Sequence, residues 1–414
     1  MKLLQINITA NWGSHGKIAE GIGQLAIKEG WESYIAYGRW YNPSKSHLYQ
    51  IGSMMDERIH GIASRILDNH GLMSKHATRQ LISYIEEINP DIIHLHNIHG
   101  YYLNYPLLME FLAKYNKPVV WTLHDCWTFT GHCAHYMFVK CYKWQTHCEK
   151  CPQKKAYPSS LLLDKSYRNF ELKKKYFNSI PNLTLVPVSK WLEDEVRKSF
   201  LKNNPLHQIY NGIDMETFKP SFEIDIRTKY QLAPNTKIIL GVASNWYRKG
   251  LEDFISLSKT LPEDYKIILV GINEKDAQNI PDEILAIRRT ENINEMRCLY
   301  SQADVFFNPT IEDNFPTTNI ESLACGTPIV TYKTGGCEEA ISAETGYAVE
   351  PKNLEKAKGY ILEICEKDKK VYQLSCRQRA MKLFDKNERF IEYINLYKTI
   401  DIGSLSLEHS LRIL

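Results

Sequence analysis

No run of about twenty apolar residues occurs in the 414-residue sequence, so nothing in it reads as a membrane-spanning helix. The start, MKLLQINITANWG, carries one Lys and a strand-like run broken by polar residues, and lacks the apolar core of a secretory signal. Charge of one sign is also missing. The 51 Lys and Arg against 48 Asp and Glu leave a formal +3, too little to call for nucleic acid. There is no low-complexity segment, and no internal repeat beyond recurring strand–helix units. The fingerprint Gly-x-Gly-x-x-Gly is absent, as is a ribose-binding acid after the first strand, which argues against a dinucleotide dehydrogenase. These absences point to a cytoplasmic chain whose ten cysteines are thiols or metal ligands rather than disulfides.

What is present suffices for two domains of ordinary size, and 43% hydrophobic residues can bury two cores. The richest stretch runs from Asp304 to Ile341. Val305 to Phe307 reads as a buried strand. The polar loop Glu312-Asp313-Asn314-Phe315-Pro316-Thr317-Thr318 follows, then a short helix from Asn319 that Gly326 ends and Pro328 cannot continue. A second strand, Ile329 to Tyr332, leads into Gly335-Gly336. This is one unit of a parallel α/β sheet. Thr317, Thr318 and Asn319 set N–H groups at a helix N-terminus, which favours anions and oxygen-rich ligands. Asp313 and Glu321, eight apart, suit sugar and ribose hydroxyls. The plain alternative is a capped surface helix with ordinary acids.

From the N-terminus, Leu3 to Ile8 reads as a strand, and Asn11-Trp12-Gly13-Ser14-His15-Gly16 as a glycine loop before a helix. Gly13 and Gly16 there suit a phosphate, or equally a tight turn. Residues 42 to 80 read as mainly helical and polar, with His47, His60, His70 and His76 at the surface. A strand ends in His96-Asn97-Ile98-His99-Gly100, and another in His124-Asp125, positions where open parallel sheets bind ligands. Tyr101, Tyr102 and Tyr105 suggest an acceptor groove, with packing the commoner role. The segment 127–158 holds Cys133, Cys141, Cys148 and Cys151. Cys148-x2-Cys151 suits one tetrahedral metal, while Cys133-x7-Cys141 is wider than a usual knuckle. A structural zinc is one expectation; separate thiols, or two disulfides in an oxidised protein, are the others. Residues 164–178 read as a basic helix with Lys173-Lys174-Lys175, either a solvated face or a weak contact with an anionic membrane. Lys249-Gly250 follows the strand from Lys237, and Lys266 to Gly271 forms the next strand, with Arg288-Arg289-Thr290 beyond it. The tail after Gly403 reads as loose.

The order of these motifs, across roughly residues 3 to 400, resembles the family 4 retaining glycosyltransferases of GT-B fold. Their motif Glu-x7-Glu followed by Ala-x-Ala-x-Gly-x-Pro-Val matches at Glu321 and Gly326-Thr-Pro328-Ile-Val, with Asp313 or the adjacent Glu312 at the first acidic position. Asn211-Gly212-Ile-Asp214 resembles the family's inter-domain connector. Lys249-Gly250 fits the end of Gly-Arg-x4-Lys-Gly, but Ser244 stands where the family has Arg, leaving Arg248 as the neighbouring substitute.

The resemblance implies two Rossmann-like domains with parallel sheets facing a central cleft: residues 1–208 for the acceptor, 209–385 for the donor, and a helix at 386–404 packing back on the first. It implies a hexosyltransferase-like, retaining, metal-independent enzyme of bacterial capsule, O-antigen or exopolysaccharide assembly. The donor would be a UDP- or GDP-sugar and the acceptor a glycan or polyprenyl-linked glycan, at the inner face of the plasma membrane. Glu321 would hold the ribose and Lys249, with Arg248, the diphosphate. Glu312 or Asp313 with Asn314, Phe315, Pro316, Thr317 and Thr318 would grip the sugar. Gly13 and Gly16 would lie near the donor phosphates, and His124 would face the reacting sugar. His96, His99, Tyr101 and Asp125 would meet the acceptor. The alternatives are a GT-B nucleotide-sugar epimerase and a non-catalytic nucleotide-sugar binding protein.

Overall fold

Short apolar runs buried on both faces become parallel strands, because helices cover each face of the sheet. In the computed structural model, which describes residues 1–411 and side chains through residue 400, the strands form two six-stranded sheets. The chain divides into two units, residues 1–210 with 388–414 and residues 211–387.

The first unit alternates β1 (Lys2–Asn7), α1 (Gly13–Lys28), β2 (Glu32–Tyr37), β3 (His47–Gln50), α2 (Met54–Leu67), α3 (Lys75–Ile88), β4 (Ile92–Leu95), α4 (Tyr105–Tyr115), β5 (Val119–Leu123), α5 (Ser166–Phe177), β6 (Leu183–Pro187) and α6 (Lys190–Lys198). Its strand order is β3-β2-β1-β4-β5-β6, all parallel. The chain leaves β1 and β4 in opposite directions. A crevice therefore opens beyond their C-terminal ends, where open α/β sheets bind ligands.

The second unit repeats the plan with α7 (Ile226–Lys229), β7 (Lys237–Val242), α8 (Leu251–Ser258), β8 (Tyr265–Val270), α9 (Glu274–Ala277), β9 (Ile284–Ile287), α10 (Ile293–Gln302), β10 (Val305–Asn308), α11 (Thr317–Ala324), β11 (Ile329–Tyr332), β12 (Gly346–Val349), α12 (Leu354–Glu366) and α13 (Lys370–Phe384). The order β12-β11-β10-β7-β8-β9 puts its switch point between β7 and β10. The loops carrying Lys249 and Asp313 are thus the two that flank this crevice. Gly326, at φ +82°, ends α11 as the sequence suggested.

The last helix, α14 (Lys386–Leu411), leaves the second unit and from Glu388 belongs to the first. Phe390, Tyr393, Ile394 and Tyr397 join Leu3, Ile18, Ile22 and Val120 in one buried cluster. The Tyr397 hydroxyl hydrogen-bonds His94 Nδ1 at 2.5 Å, and Tyr393 meets the Thr122 hydroxyl at 3.0 Å. The helix runs past Gly403, where a loose tail was expected; residues 412–414, the rest of that tail, lie outside the described residues.

Three local expectations change. Residues 47–50 form an edge strand rather than helix, and β9 was not anticipated. His60 and His70 are buried, not superficial. His60 accepts from the Gly71 N–H at 3.0 Å and meets the Ser74 hydroxyl at 2.8 Å. It thereby ties α2 to the turn before α3. Lys173, expected on a solvated basic face, is buried, and its ammonium donates to the carbonyls of Trp127 (2.6 Å) and Thr130 (3.0 Å). It lies 3.6 Å from the Trp127 ring centroid, so α5 uses this charge to anchor the long loop after β5.

Candidate functional site

In the second unit the loops after β7 and β10 are laced together by backbone and charge. Ile311 N–H donates to the Arg248 carbonyl at 3.1 Å, and Arg248 holds a left-handed backbone at φ +61°. Its guanidinium pairs with Glu312. The Lys249 ammonium lies 2.5 Å from Asp313 Oδ2 and donates to the Glu312 carbonyl at 3.1 Å. Burial opposes the Lys249 charge, but Asp313 outweighs it and holds the pKa above the ordinary lysine value. Two cations and two carboxylates are thus fixed at the switch point. The Asp313–Asn314 loop is pressed against Gly335, where a Cβ would lie 2.1 Å from the Asp313 carbonyl oxygen; at φ +54° only glycine fits comfortably.

Helix α11 begins at Thr317 with Pro316 as its N-cap and no side-chain cap, and the Asn319 N–H turns back to the Pro316 carbonyl at 3.2 Å. Glu321, on the same helix, accepts from the Tyr300 hydroxyl at 2.9 Å. The Asn314, Phe315 and Pro316 side chains are buried, with Phe315 packed on Phe384 at 5.7 Å between ring centroids. What this segment offers a ligand is therefore backbone, plus the partly exposed Glu312, Asp313, Thr317, Thr318 and Glu321. Beside it, a cavity of about 430 Å³ is lined by Ala243, Ser244, Gly271, Asn273, Arg288 and Thr290, among others. Gly271 makes this closeness possible: at φ +91°, its missing Cβ would sit 1.8 Å from the Ala243 carbonyl oxygen.

In the first unit a cavity of about 310 Å³ opens at the β1–β4 crevice, lined by Thr9, Trp12, Gly13, His15, Arg39, Trp40, Asn97, His99 and Tyr157, among others. Trp12 and Trp40 are exposed with ring centroids 5.2 Å apart. His99 is held at both nitrogens, to Asp125 at 2.9 Å and to the Tyr157 hydroxyl at 3.0 Å. Burial opposes ionisation of Asp125, yet the adjoining His99 keeps its carboxyl well below the usual range. His124 is pushed well below the ordinary histidine pKa, chiefly by burial and then by His96 and His15. His15 is pushed down to about 4 by burial, then by His99. The His15 and His124 rings are therefore neutral at physiological pH, suited to hydrogen bonds with hydroxyls rather than to holding anions.

Several expected acceptor contacts lie elsewhere. His96 is 1% exposed, with one nitrogen 3.4 Å from His124 and the other 3.1 Å from Gln5, so it supports His124 from beneath. Tyr101 is buried among His60, His70 and the guanidiniums of Arg39 and Arg65. Asp125 reaches the cavity only through His99. Gly16 lies inside α1 against the Thr9 hydroxyl, whereas Gly13, at φ +67°, starts the helix in open space. Arg39, Trp40, Asn97 and Tyr157 were not foreseen as site residues. They come from three different loops; Trp12, Gly13 and His15, and Asn97 with His99, lay within recognised motifs, whereas Arg39, Trp40 and Tyr157 did not.

Cys133, Cys141, Cys148 and Cys151 line one cavity of about 10 Å³. The Cys133 and Cys151 thiols hydrogen-bond each other, and the Gly131 and Gln153 N–H groups donate to Cys148 and Cys151. All four are free thiols, and among the described residues no three or more His, Cys, Asp or Glu are set to hold a metal ion. Nor is any helix among the described residues long and apolar enough to cross a membrane.

Two six-stranded parallel sheets, each with a switch-point crevice, are the plan of the GT-B fold. Residues 22–217 match the family described as Glycosyltransferase Family 4, and residues 222–381 that described as Glycosyl transferases group 1. The chain belongs to these glycosyltransferases. It is 23% identical over 420 residues to WcaC of Escherichia coli (strain K12), named as a colanic acid biosynthesis glycosyl transferase, covering 97% of this chain and 100% of WcaC. Sucrose-phosphate synthase from Thermosynechococcus elongatus superposes with TM-score 0.70 at 17% identity, over 97% of this chain and 99% of that one. Anabaena Alr3699/HepE in complex with UDP-glucose gives TM-score 0.63 at 14% identity, over 96% and 100%. At such identities the structural likeness speaks for the fold.

Proposed function

We propose that this glycosyltransferase moves a sugar from a UDP- or GDP-sugar to a glycan or polyprenyl-linked glycan of a bacterial surface polysaccharide, with retention and without a catalytic metal, at the cytoplasmic face of the membrane. One observation carries the donor reading: Lys249 and Arg248 sit at a switch point, each held by a carboxylate of the loop that opens α11. Fixed cations there offset the charge of a departing diphosphate, the part a metal plays elsewhere. Glu321 would accept from ribose hydroxyls, and the 430 Å³ cavity would take the nucleobase. The His124 and His99 imidazoles, with the Trp12–Trp40 pair, suit sugar hydroxyls and the apolar face of a pyranose ring. The neighbour solved with UDP-glucose supports a uridine donor.

The test is turnover with a panel of UDP-, GDP- and ADP-sugars, with lipid extract as acceptor, for the wild type, Glu321→Ala and Lys249→Ala. Nucleotide release lost in both variants supports the reading. Binding without release from any donor overturns catalysis, and isomerised sugar without release means an epimerase. The cysteine segment adds a smaller proposal. Four thiols around one small cavity support a structural zinc, although as placed they are not at ligand spacing. One zinc per chain by metal analysis, lost in Cys148→Ser, would establish it; metal-free folded protein would dismiss it.

A further inference from the structure

Helix α2 is amphipathic in the reverse sense. Its buried residues are His60, Gly61 and Ser64, small or polar. Its apolar residues point outward: Met54, Met55, Ile59, Ile62, Ile66 and Leu67 are each between 39% and 66% exposed. The spacing 55, 59, 62, 66 is one helical stripe. The helix is firmly built, with a Ser53–Asp56 capping box at its start and a left-handed C-cap at Asp68. Its outward face is thus a fixed surface rather than a frayed end.

A second apolar element is strapped to the same helix. Leu161 N–H donates to the Arg65 carbonyl at 2.7 Å and Leu163 N–H to the Ile66 carbonyl at 3.3 Å. The loop thereby satisfies the helix's terminal carbonyls and sets Leu161, Leu162 and Leu163 beside the stripe, 57%, 66% and 43% exposed. Nine large aliphatic or thioether side chains form one patch. Such a contiguous patch marks an interaction site, whereas scattered exposed apolar residues do not.

The rim decides what covers it. Arg58 and Arg65 lie on α2; Lys154 donates to the Leu162 carbonyl at 3.1 Å; Lys155 and Arg168 are exposed nearby. Arg168 reaches Asn69, one residue past the C-cap. The neighbouring carboxylates are engaged internally: Glu57 with Arg39 at 2.8 Å, Asp68 with His132 at 2.7 Å, and Asp164 with the Ser166 and Cys151 N–H groups. The patch centre holds no aromatic ring, unlike the core of a typical protein interface. A second copy meeting it by two-fold symmetry would set arginine against arginine. Flexible aliphatic side chains ringed by cations instead match an interface-lying helix on anionic lipid.

We propose that the α2 face and the Leu161–Leu163 loop dock the first unit onto an anionic phospholipid surface, with these side chains in the acyl boundary and the cations among the headgroups. This replaces α5, whose Lys173 is buried, as the membrane contact. The inference rests on the first unit's surface alone, so its failure would leave the donor reading untouched.

The test is cosedimentation of the full chain with vesicles of phosphatidylcholine containing about 30% anionic phosphatidylglycerol. The wild type should partition onto these vesicles, more weakly onto pure phosphatidylcholine, and less as salt rises. Ile59→Ser/Ile62→Ser and Leu161→Ser/Leu162→Ser should each lower partitioning at least tenfold, with unchanged thermal unfolding and unchanged donor hydrolysis. Arg58→Glu/Lys155→Glu should abolish the preference for anionic vesicles while leaving the apolar face intact. No binding by the wild type, or serine variants that bind as it does, overturns the proposal. So does a wild-type dimer in solution that the serine variants dissociate, which would assign the face to a second copy.

Discussion

The two units share one strand plan read outward from a switch point, and almost none of their chemistry. All fourteen histidines fall in the first unit's residues, while residues 211–387 contain none. Seven of the eight tryptophans divide the same way, with Trp246 alone in the second unit. The first unit works with imidazoles whose nitrogens are already paired, such as His99 between Asp125 and Tyr157. The second works with permanent charges locked by opposite charges, such as Lys249 on Asp313. One scaffold can therefore serve hydroxyl-rich or phosphate-rich ligands, depending on what its crevice loops carry.

The sharpest way to break this contrast is to remove a charge on one side and a ring on the other. Lys249→Ala should lower turnover by roughly 10²–10³-fold, since it deletes charge stabilisation of the departing group, and should slow donor hydrolysis equally. His99→Ala should raise the acceptor KM and spare donor hydrolysis. Equal effects of both variants on both reactions would erase the division of labour.

Acid should separate the units next. Unfolded histidines take up protons near pH 6.5, but burial holds His15 down to about 4 and His60 to about 3 in the fold. His70, His94, His96 and His124 are displaced in the same direction, each chiefly by burial. Across that interval the unfolded state binds more protons, so the first unit loses stability as pH falls from 6.5 towards 4. The second unit has no histidine, and its Lys369, held down to about 8 by burial, stays protonated across this interval. Thermal unfolding followed by tryptophan fluorescence should show the first unit's transition moving down between pH 7 and pH 5, while the second unit's stays in place. A common shift would contradict the contrast.

The smallest effect is local. Gly271→Ala should destabilise the second unit by about 1–3 kcal/mol, because a side chain at φ +91° meets the Ala243 carbonyl. Urea denaturation would show this, with the first unit's transition unchanged.

The architecture was legible because β7, β8, β10 and β11 carry short apolar runs, and β1 and β2 shorter ones, each followed by turn or loop residues. The charged loops at the second unit's switch point were legible because Lys249-Gly250 and the Asp313–Glu321 spacing are each compact in sequence. Edge strand β3 was not: its four residues are largely unburied and offer no pattern. The burial of His60 and His70 was not, since nothing local distinguishes a core imidazole from a surface one. The first unit's cavity gathers Arg39, Trp40, Asn97 and Tyr157 across more than a hundred residues of sequence, so only topology brings them together. For α2 the amphipathic stripe was readable, but which side faces water is a tertiary fact.

The passage of α14 from one unit into the other bears on how the protein is made. The ribosome releases residues 1–210 first, yet Phe390, Tyr393, Ile394 and Tyr397 belong to their core and emerge only after all of residues 211–387. The half that is synthesised first must then wait with an open seam, while the second half already has its full complement of strands. During elongation that seam, rather than either crevice, is the surface at which a nascent-chain chaperone would have most to protect.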